Sequence, residues 1–271
     1  MKNPFSLALA LVASASLAAC GTPGTPPRDI VVELAPTGKL RAAINLGNGV
    51  LAQKDAKTGE LTGISVDLAK ELAWRLMVPV ELVPYDAAGK VTADATRNAW
   101  DVAFVAIDPA RAQEIWFTGP YVIIEGTYLV PSSSPLRTIE DVDREGVRIA
   151  VSNRSAYDLY LGRALKKAQL VRASSPPASI EMFVKDRLDA LAGVKQPLVE
   201  FAAKNADYRV IEGRFMAIEQ AMGTPKDRAR RGIEYLRAFV EDVKAKGFVA
   251  SSLERSGQRD AAVAPPAGSR K

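Results

Sequence analysis

Short apolar runs alternate with amphipathic segments along most of the chain. Lys39–Ile44 has the length and composition of a strand, and the apolar residues of Ser65–Met77 recur at the spacing of one helix face. The alternation continues with a predicted strand at Val78–Val83, a predicted helix at Lys90–Asn98 and a buried strand at Asp101–Ile107. Strands and helices in this order are typical of a parallel sheet covered by helices.

A second series of alternating elements follows a predicted strand at Thr127–Val130. The polar turn Pro131–Pro135 comes next, and we expect the chain to cross there between two halves of the molecule. Phe215–Ala221 is predicted to bring the chain back, and the segments Lys226–Lys246 and Phe248–Arg255 are predicted to be helical. The elements predicted in between are a strand at Arg148–Val151, a helix at Ser155–Lys166, a strand at Gln169–Val171, a helix at Ser179–Lys185, a strand at Leu188–Ala192, a helix at Gln196–Lys204 and a strand at Tyr208–Ile211.

The predicted elements group into two α/β lobes joined by two crossings. In this prediction residues 30–131 and 215–256 form the first lobe, and residues 132–214 form the second. Residues 257–271 are rich in alanine, glycine and proline, so we expect a disordered tail there. With 271 residues, of which 48% are hydrophobic, the chain can bury a substantial core in such an arrangement.

The first residues have the pattern of an export signal. A basic start, Met1–Asn3, precedes the apolar run Phe5–Leu17, which is too short to span a bilayer comfortably. The sequence Leu17–Cys20 (LAAC) resembles a bacterial lipobox, and this resemblance implies removal of residues 1–19 and acylation of Cys20. An ordinary signal peptide with an incidental cysteine is the alternative.

A flexible tether is predicted to follow the signal. Residues 20–29 include the sequence GTPGTPP, which cannot bury anything and is expected to hold the folded body away from a membrane. Cys20 is the single cysteine of the chain, so we expect no disulfide.

The composition excludes several classes of function. The net charge of +5 is modest and scattered, without the basic run interleaved with aromatics that binds a nucleic acid strand, so we expect no nucleic-acid partner. The chain has no histidine, which excludes Ser-His-Asp and Cys-His catalysis and imidazole-ligated metal sites. We expect neither a metal nor a cofactor, and any catalysis would depend on carboxylates, lysine or tyrosine.

Five short motifs lie in a fixed order between about Leu40 and Gly257. They are Gly59–Ala69 (GELTGISVDLA), Asp101 followed by Ile107–Arg111 (IDPAR), Phe117–Tyr121 (FTGPY), Ser134–Val142 (SPLRTIEDV) and Arg187–Ala190 (RLDA). Together they resemble the signature of bacterial extracellular solute-binding proteins of family 3, which include the amino-acid receptors of ABC importers. One such motif alone would be weak, whereas the ordered set is specific.

The resemblance implies the type II periplasmic-binding-protein fold, in which two α/β lobes close like a Venus flytrap about two hinge crossings. It implies a binding protein rather than an enzyme: a monomer in the periplasm or cell envelope, lipid-anchored to a membrane through Cys20. Such a receptor captures a small carboxylate-bearing solute and presents it to an ABC permease in the inner membrane. Two other hypotheses stay open, a cyclohexadienyl-dehydratase-like activity with Glu219 as general acid, and ligand sensing for a signalling receptor.

Arg111 has two interpretations. It lies just past the end of a predicted buried strand, where open α/β sheets bind their ligands. A planar guanidinium can hold a ligand carboxylate with two parallel hydrogen bonds, and the resemblance implies this role for the arginine of the IDPAR motif. The alternative is a solvated residue that pairs with Glu114 and contributes only a few tenths of a kcal/mol.

The other candidate ligand-binding residues follow strands in both halves of the chain. Asn45 and Asn48 lie in the loop after the first strand. The alternative is that this loop is only a glycine-rich turn without a ligand role. Ser155 and Tyr157 lie at a predicted helix start that could meet an anion, although Ser155 is equally explained as an N-cap. Trp116, Phe117 and Tyr121 are assigned to the core, with a platform for the ligand as the alternative.

Two departures from the family pattern bear on the ligand. Phe104 and Ala106 stand where amino-acid receptors commonly carry hydroxyls, and Lys195 stands near the position of the acid that meets the ligand's α-ammonium. A lysine would repel that ammonium. The ligand is therefore either a carboxylate without an amine or one with a second anionic group that Lys195 binds. Glu219 or Glu200 could instead supply a displaced acid.

Overall fold

The structure is a computed structural model that describes residues 25–228, 230–258 and 260–268. The predicted signal peptide and residues 20–24 of the predicted tether, including Cys20, lie outside the described residues, whereas residues 28 and 29 of that tether begin a helix. The strands are β1 (Leu40–Asn45), β2 (Gln53–Lys54), β3 (Leu61–Thr62), β4 (Val80–Tyr85), β5 (Val102–Ala106), β6 (Ile115–Pro131), β7 (Arg148–Ser152), β8 (Gln169–Ala173), β9 (Ala190–Val194), β10 (Tyr208–Val210), β11 (Met216–Pro225) and β12 (Ala262–Val263). The helices are α1 (Arg28–Leu34), α2 (Ile64–Arg75), α3 (Ala88–Ala93), α4 (Ala156–Ala164), α5 (Pro176–Lys185), α6 (Lys195–Lys204), α7 (Arg230–Ala245) and α8 (Phe248–Arg255).

Two groups of parallel strands flank a central antiparallel pair. The strand order is β4-β1-β5-β11-β6-β9-β7-β8, with β1 parallel to β4 and β5, and β7 parallel to β8 and β9. The central pair, β11 and β6, runs antiparallel and connects the two groups. We call the part built on β4, β1 and β5 lobe 1 and the part built on β9, β7 and β8 lobe 2. The two-lobed α/β architecture with two crossings agrees with the prediction.

The crossing strand β6 is longer than the sequence analysis predicted. It runs unbroken from Ile115 to Pro131, whereas the predicted strand covered only Thr127–Val130. Its first part pairs with β11 and its last part with β9 and β10, and Gly126 pairs with both β11 and β9. Pro120, which reads as a strand breaker, lies opposite a register shift in β11, where a missing backbone N–H is tolerated.

Apolar helix faces cover the sheet of lobe 1. Helix α2 buries the stripe that the sequence predicted, with Val66, Leu68, Ala69 and Leu72 fully enclosed. Asp67 of the same helix accepts hydrogen bonds from the side chains of Ser252 and Arg255, so it ties α2 to α8, while Gly63 is the N-cap. Helix α7 begins at Arg230 rather than at Lys226, and α3 ends at Ala93 rather than at Asn98.

A segment expected to be disordered forms a strap on lobe 1. Strand β12 pairs antiparallel with Val122 and Ile123 of β6, and the next residue, Ala264, is buried. The backbone N–H of Ala264 donates to the oxygen of Tyr121 at 3.1 Å. The expectation of disorder is therefore wrong for residues 260–268, because the free edge of β6 offers the backbone partners that composition alone does not show.

Candidate functional site

A cavity of about 80 Å³ lies between the lobes, at the carboxyl ends of their parallel strands. The last residues of β1, β5, β7 and β9 line it, two from each lobe, which is where open α/β sheets bind ligands. The lining residues are Asn45, Gly47, Asn48, Ala88, Val105, Ala106, Arg111, Ser152, Ser155, Ala156, Tyr157, Pro176, Ser179, Ile180, Leu191, Ala192, Gly193, Val194, Pro197, Leu198, Ile218 and Gln220.

Arg111 begins a single 3₁₀ turn just after β5, and its side chain is buried in the cavity wall with only 4% of the residue exposed. Its Nη1 donates to the oxygen of Ala106 at 2.9 Å, and its Nη2 donates to the oxygen of Arg154 at 2.9 Å. A guanidinium has five N–H donors, so these two bonds leave three for a ligand. The alternative interpretation, a solvated Arg111 that pairs with Glu114, is therefore wrong, because the side chain is buried and bonds Ala106 and Arg154 instead.

The buried charge of Arg111 lacks an ion-pair partner among the described residues. Burial lowers the pKa of its guanidinium to about 10, an effect that the charge of Asp108 opposes and that of Arg154 reinforces. The side chain stays protonated at neutral pH. Its Nε is buried without a hydrogen-bond partner, an arrangement that is costly unless an acceptor arrives.

The loop after β1 brings two amides to the cavity. The Oδ1 of Asn45 accepts a hydrogen bond from the backbone N–H of Gly47 at 3.1 Å, which fixes the turn. A side chain at Gly47 would collide with the backbone oxygen of Asp86, so the turn lies tight against the end of β4. Asn48 is buried and its Oδ1 has no partner, so this amide is free to bond a ligand.

Lobe 2 contributes hydroxyl groups from β7 and α4. Ser155 is the N-cap of α4, and its Oγ accepts from the backbone N–H of Asp158 at 3.0 Å. The N-cap interpretation of Ser155 is therefore confirmed, and the residue lines the cavity as well. Burial raises the pKa of the Tyr157 hydroxyl to about 12, although Ser155 and Ser152 work against that shift, so the hydroxyl is neutral at physiological pH.

Six of the eight predicted ligand-binding residues line this cavity: Asn45, Asn48, Ala106, Arg111, Ser155 and Tyr157. Phe104 does not, because its ring packs edge-on against Tyr121 in the core, with 6.3 Å between centroids. Lys195 does not either. It begins α6, and its Nζ donates to Glu125 of β6 at 2.9 Å.

Sequence reasoning missed Gln220, which lines the cavity from the crossing strand β11 and is only 5% exposed. Ile218, two residues earlier, faces the cavity from the same side of the strand. The alternation of side chains in a strand would have placed these two residues together, but only after the antiparallel return of β11 beside β5 was known.

Contacts between described residues join the lobes around the cavity. Besides the Arg111 bond to Arg154, the Nη2 of Arg163 in lobe 2 donates to the Oδ2 of Asp108 in lobe 1 at 2.7 Å. Gly89 of α3 lies so close to the turn after β7 that an added Cβ would be 2.6 Å from the oxygen of Asn153. The lobes are therefore closed on one another.

Comparison with known proteins agrees with this geometry. The family described as bacterial extracellular solute-binding proteins, family 3, matches residues 51–255. A curated relative, the ABC transporter glutamine-binding protein GlnH of Bacillus subtilis (strain 168), is 24% identical over 195 residues, which are 68% of this chain and 67% of the relative.

Solved structures share the fold. A mutant of ArgBP from T. maritima has a TM-score of 0.72 at 21% identity, covering 84% of this chain and 99% of that one. The L-arginine-bound substrate-binding protein AbpA from Streptococcus pneumoniae has a TM-score of 0.71 at 20% identity, covering 83% and 97%. AncCDT-1, an ancestral amino acid-binding protein and a precursor of cyclohexadienyl dehydratase, has a TM-score of 0.69 at 24% identity, covering 83% and 98%.

Proposed function

This chain belongs to the bacterial extracellular solute-binding proteins, family 3, and from that membership we propose that it captures a small carboxylate-bearing solute between its lobes for an ABC importer. The observation that carries the proposal is the buried guanidinium of Arg111, which follows the carboxyl end of strand β5 and has an unpartnered Nε. A carboxylate would neutralise this charge and bond Nε together with a free N–H of Nη2.

Closure follows from contacts that the ligand makes with both lobes. Arg111, Asn45 and Asn48 approach the cavity from lobe 1, and Ser155 and Tyr157 approach it from lobe 2. A ligand shifts the equilibrium between open and closed forms only by its differential affinity for them, so a solute that touches both walls favours the closed form. In this proposal the closed form is the one that the permease recognises.

The curated relative supports an importer as the destination of the solute. GlnH is by name a glutamine-binding protein of an ABC transporter, and AbpA is a substrate-binding protein of an amino acid ABC transporter. A membership of this kind places the protein outside the cytoplasmic membrane, in the periplasm or envelope. We propose that acylated Cys20 anchors it and that it acts as a monomer with a permease partner.

Within the described part of the chain, the helices are too short or too polar to cross a membrane. Radiolabelled palmitate incorporation, compared between the natural chain and Cys20→Ser, tests the anchor directly. Genes for a permease and an ATPase beside this one would support transport, whereas a neighbouring sensor-kinase gene would support the sensing hypothesis.

The dehydratase hypothesis finds no support in the cavity. Glu219, its proposed general acid, alternates to the opposite face of β11 from Ile218 and Gln220, which line the cavity. The family consists of solute-binding proteins, and the resemblance to AncCDT-1 is one of fold.

A thermal-shift screen of the mature protein tests the proposed function. The panel holds amino acids, 2-oxo acids, dicarboxylates and aromatic acids, with the carboxamide of each as a matched control. A cognate ligand at a hundredfold excess over its Kd stabilises the protein by about 2.7 kcal/mol. Equal stabilisation by an acid and its amide, or none by any acid, would contradict a carboxylate site at Arg111.

A further inference from the structure

We infer that the ligand is a small carboxylate without an ammonium group, of the 2-oxo or 2-hydroxy acid class. The inference rests on the proposed function, because it assumes a carboxylate at Arg111. It restricts the ligand further, to acids without an ammonium group. Among the described residues that line the cavity, Arg111 is the charged one and none is acidic. An ammonium buried here would meet a like charge and no counter-charge.

Two acids close in sequence to lining residues, Asp108 and Asp158, are already engaged. Asp108 accepts from the backbone N–H of Ala110 at 2.8 Å with one oxygen and from Arg163 at 2.7 Å with the other. Asp158 accepts from Arg172 at 2.9 Å and from the backbone N–H of Arg154 at 2.7 Å. Neither side chain lines the cavity, so neither stands in for the missing counter-charge.

The acids that the sequence offered as substitutes lie elsewhere. Glu200 is exposed and lines a separate surface pocket beside Lys195, and Glu219 is absent from the lining of the cleft cavity. Lys195 itself pairs with Glu125 at 2.9 Å, so it does not meet a second anionic group of the ligand. Of the three alternatives that the sequence left open, the structure favours the carboxylate without an amine.

The remaining cavity wall indicates what the rest of the ligand is like. Ile180, Leu191, Leu198 and Ile218 give it an apolar surface, and its volume of about 80 Å³ favours a compact ligand. Asn48 adds one neutral amide with an unpartnered oxygen. By rotating half a turn an amide presents either its oxygen to a hydroxyl or its NH₂ to an oxo group. A neutral oxygen substituent and a compact apolar side chain therefore complement this wall.

Matched ligand sets test the inference by titration calorimetry on the mature protein. Each set keeps one side chain and varies C2: alanine, pyruvate and lactate; valine, 2-oxo-3-methylbutanoate and 2-hydroxy-3-methylbutanoate; phenylalanine, phenylpyruvate and phenyllactate. We expect the 2-oxo or 2-hydroxy acid of at least one set to bind at least about a hundredfold more tightly than its amino acid.

The outcomes separate this inference from the proposed function. If an amino acid binds as tightly as its oxo and hydroxy analogues, or more tightly, the inference is wrong while the carboxylate site stands. If no member of any set binds, both are wrong. If Arg111→Ala binds a preferred acid as tightly as the natural chain does, the carboxylate site itself is wrong, and the inference with it.

A pair of variants at Ala192 gives a second measurement. Ala192 lines the cavity from β9, so Ala192→Asp adds the missing counter-charge and Ala192→Asn adds the same volume without it. We expect the ratio of amino-acid to oxo-acid affinity to be at least about tenfold higher in Ala192→Asp than in Ala192→Asn. If both variants fold and show the same ratio of amino-acid to oxo-acid affinity, the inference is wrong. If either variant fails to fold, the titrations of the natural chain decide the question.

Discussion

The guanidinium of Arg111 donates a hydrogen bond across the cleft, from its Nη2 to the backbone oxygen of Arg154 at 2.9 Å. A single side chain of lobe 1 thus holds a loop of lobe 2 while its own Nε is buried without a hydrogen-bond partner. The residue that would bind the ligand is also one that joins the lobes. Ligand capture and closure are therefore coupled at Arg111, and substitutions there should affect both.

Replacement of Arg111 by lysine should abolish tight binding. Lysine keeps a positive charge but cannot offer the planar pair of donors that a carboxylate accepts. We expect a loss of at least about 2 kcal/mol of binding free energy for any cognate acid, measured by calorimetry. Arg97→Lys is the matched control, because Arg97 is an exposed arginine of lobe 1. Unchanged affinity in Arg111→Lys would mean that two-point recognition of the carboxylate is absent.

Substitution of Gly89 by alanine should weaken ligand binding without destabilising lobe 1. Alanine has a higher helix propensity than glycine, so helix α3 itself should tolerate the change. In the closed form, however, a Cβ at this position lies 2.6 Å from the oxygen of Asn153 and 2.9 Å from the Cβ of Arg154. Relief of this overlap requires a more open cleft, which we expect to cost roughly 1 to 3 kcal/mol of binding free energy.

Gly162→Ala is the control for that effect. Gly162 also lies in a helix, but an added Cβ there has only the end of the Arg172 side chain within reach, at 3.7 Å. Small-angle scattering should show a more expanded liganded state for Gly89→Ala alone. If both variants bind equally well, the close approach of the lobes at Gly89 is not part of the liganded state.

Ligand affinity should fall at high pH. Burial lowers the pKa of Arg111 to about 10, so the ligand-free protein loses this proton well below the pH at which a solvated arginine does. A bound carboxylate favours the charged form, so binding above this pKa requires uptake of a proton. Affinity should be constant up to about pH 9 and then fall, approaching tenfold per pH unit above 10.

The same shift has the opposite sign for folding. A cation whose pKa is lower in the folded state than in the unfolded state disfavours folding below that lower pKa, and this penalty diminishes as pH rises between the two values. Ligand affinity and the contribution of Arg111 to the stability of the ligand-free protein should therefore respond to alkaline pH in opposite directions. Calorimetric Kd values check the first sign, and the difference in urea midpoint between the natural chain and Arg111→Ala at pH 8 to 10.5 checks the second. A flat affinity profile would contradict a ligand bound at Arg111.

The sequence predicted the strand ends that build the cavity, because residue order and period suffice for parallel β/α units. Arg111 and Asn45 lie directly after apolar runs, so their place at the carboxyl edge followed from the chain alone. The direction of the Lys195 side chain did not follow from the chain alone, because its Nζ donates to Glu125 of β6, a partner that is distant in the sequence.

Long-range pairing accounts for the other differences. Gln220 lines the cavity only because β11 returns antiparallel beside β5, with Gln220 opposite Ala106. Pro120 lies within a continuous strand only because β11 changes register opposite it. Neither partner strand is close in the sequence, and so hydrophobic period alone does not reveal these contacts.

The strap formed by residues 260–268 should stabilise lobe 1 without affecting the ligand. It pairs with Val122 and Ile123, and its Pro265 oxygen accepts from the buried ammonium of Lys244 at 3.0 Å. Removal of these contacts leaves backbone groups of β6 and part of the Lys244 charge without partners, which should cost about 1 to 3 kcal/mol of unfolding free energy.

Truncation after Gln258 tests this expectation, with the natural chain as the reference. Urea titration should show a lower midpoint for the truncated protein. Calorimetric affinity should be equal in both, because β12 pairs with β6 before the switch at Gly126 and does not line the cleft cavity. A truncated protein that keeps its midpoint but binds less tightly would instead assign the strap to the hinge, since lobe 1 would then be stable without it.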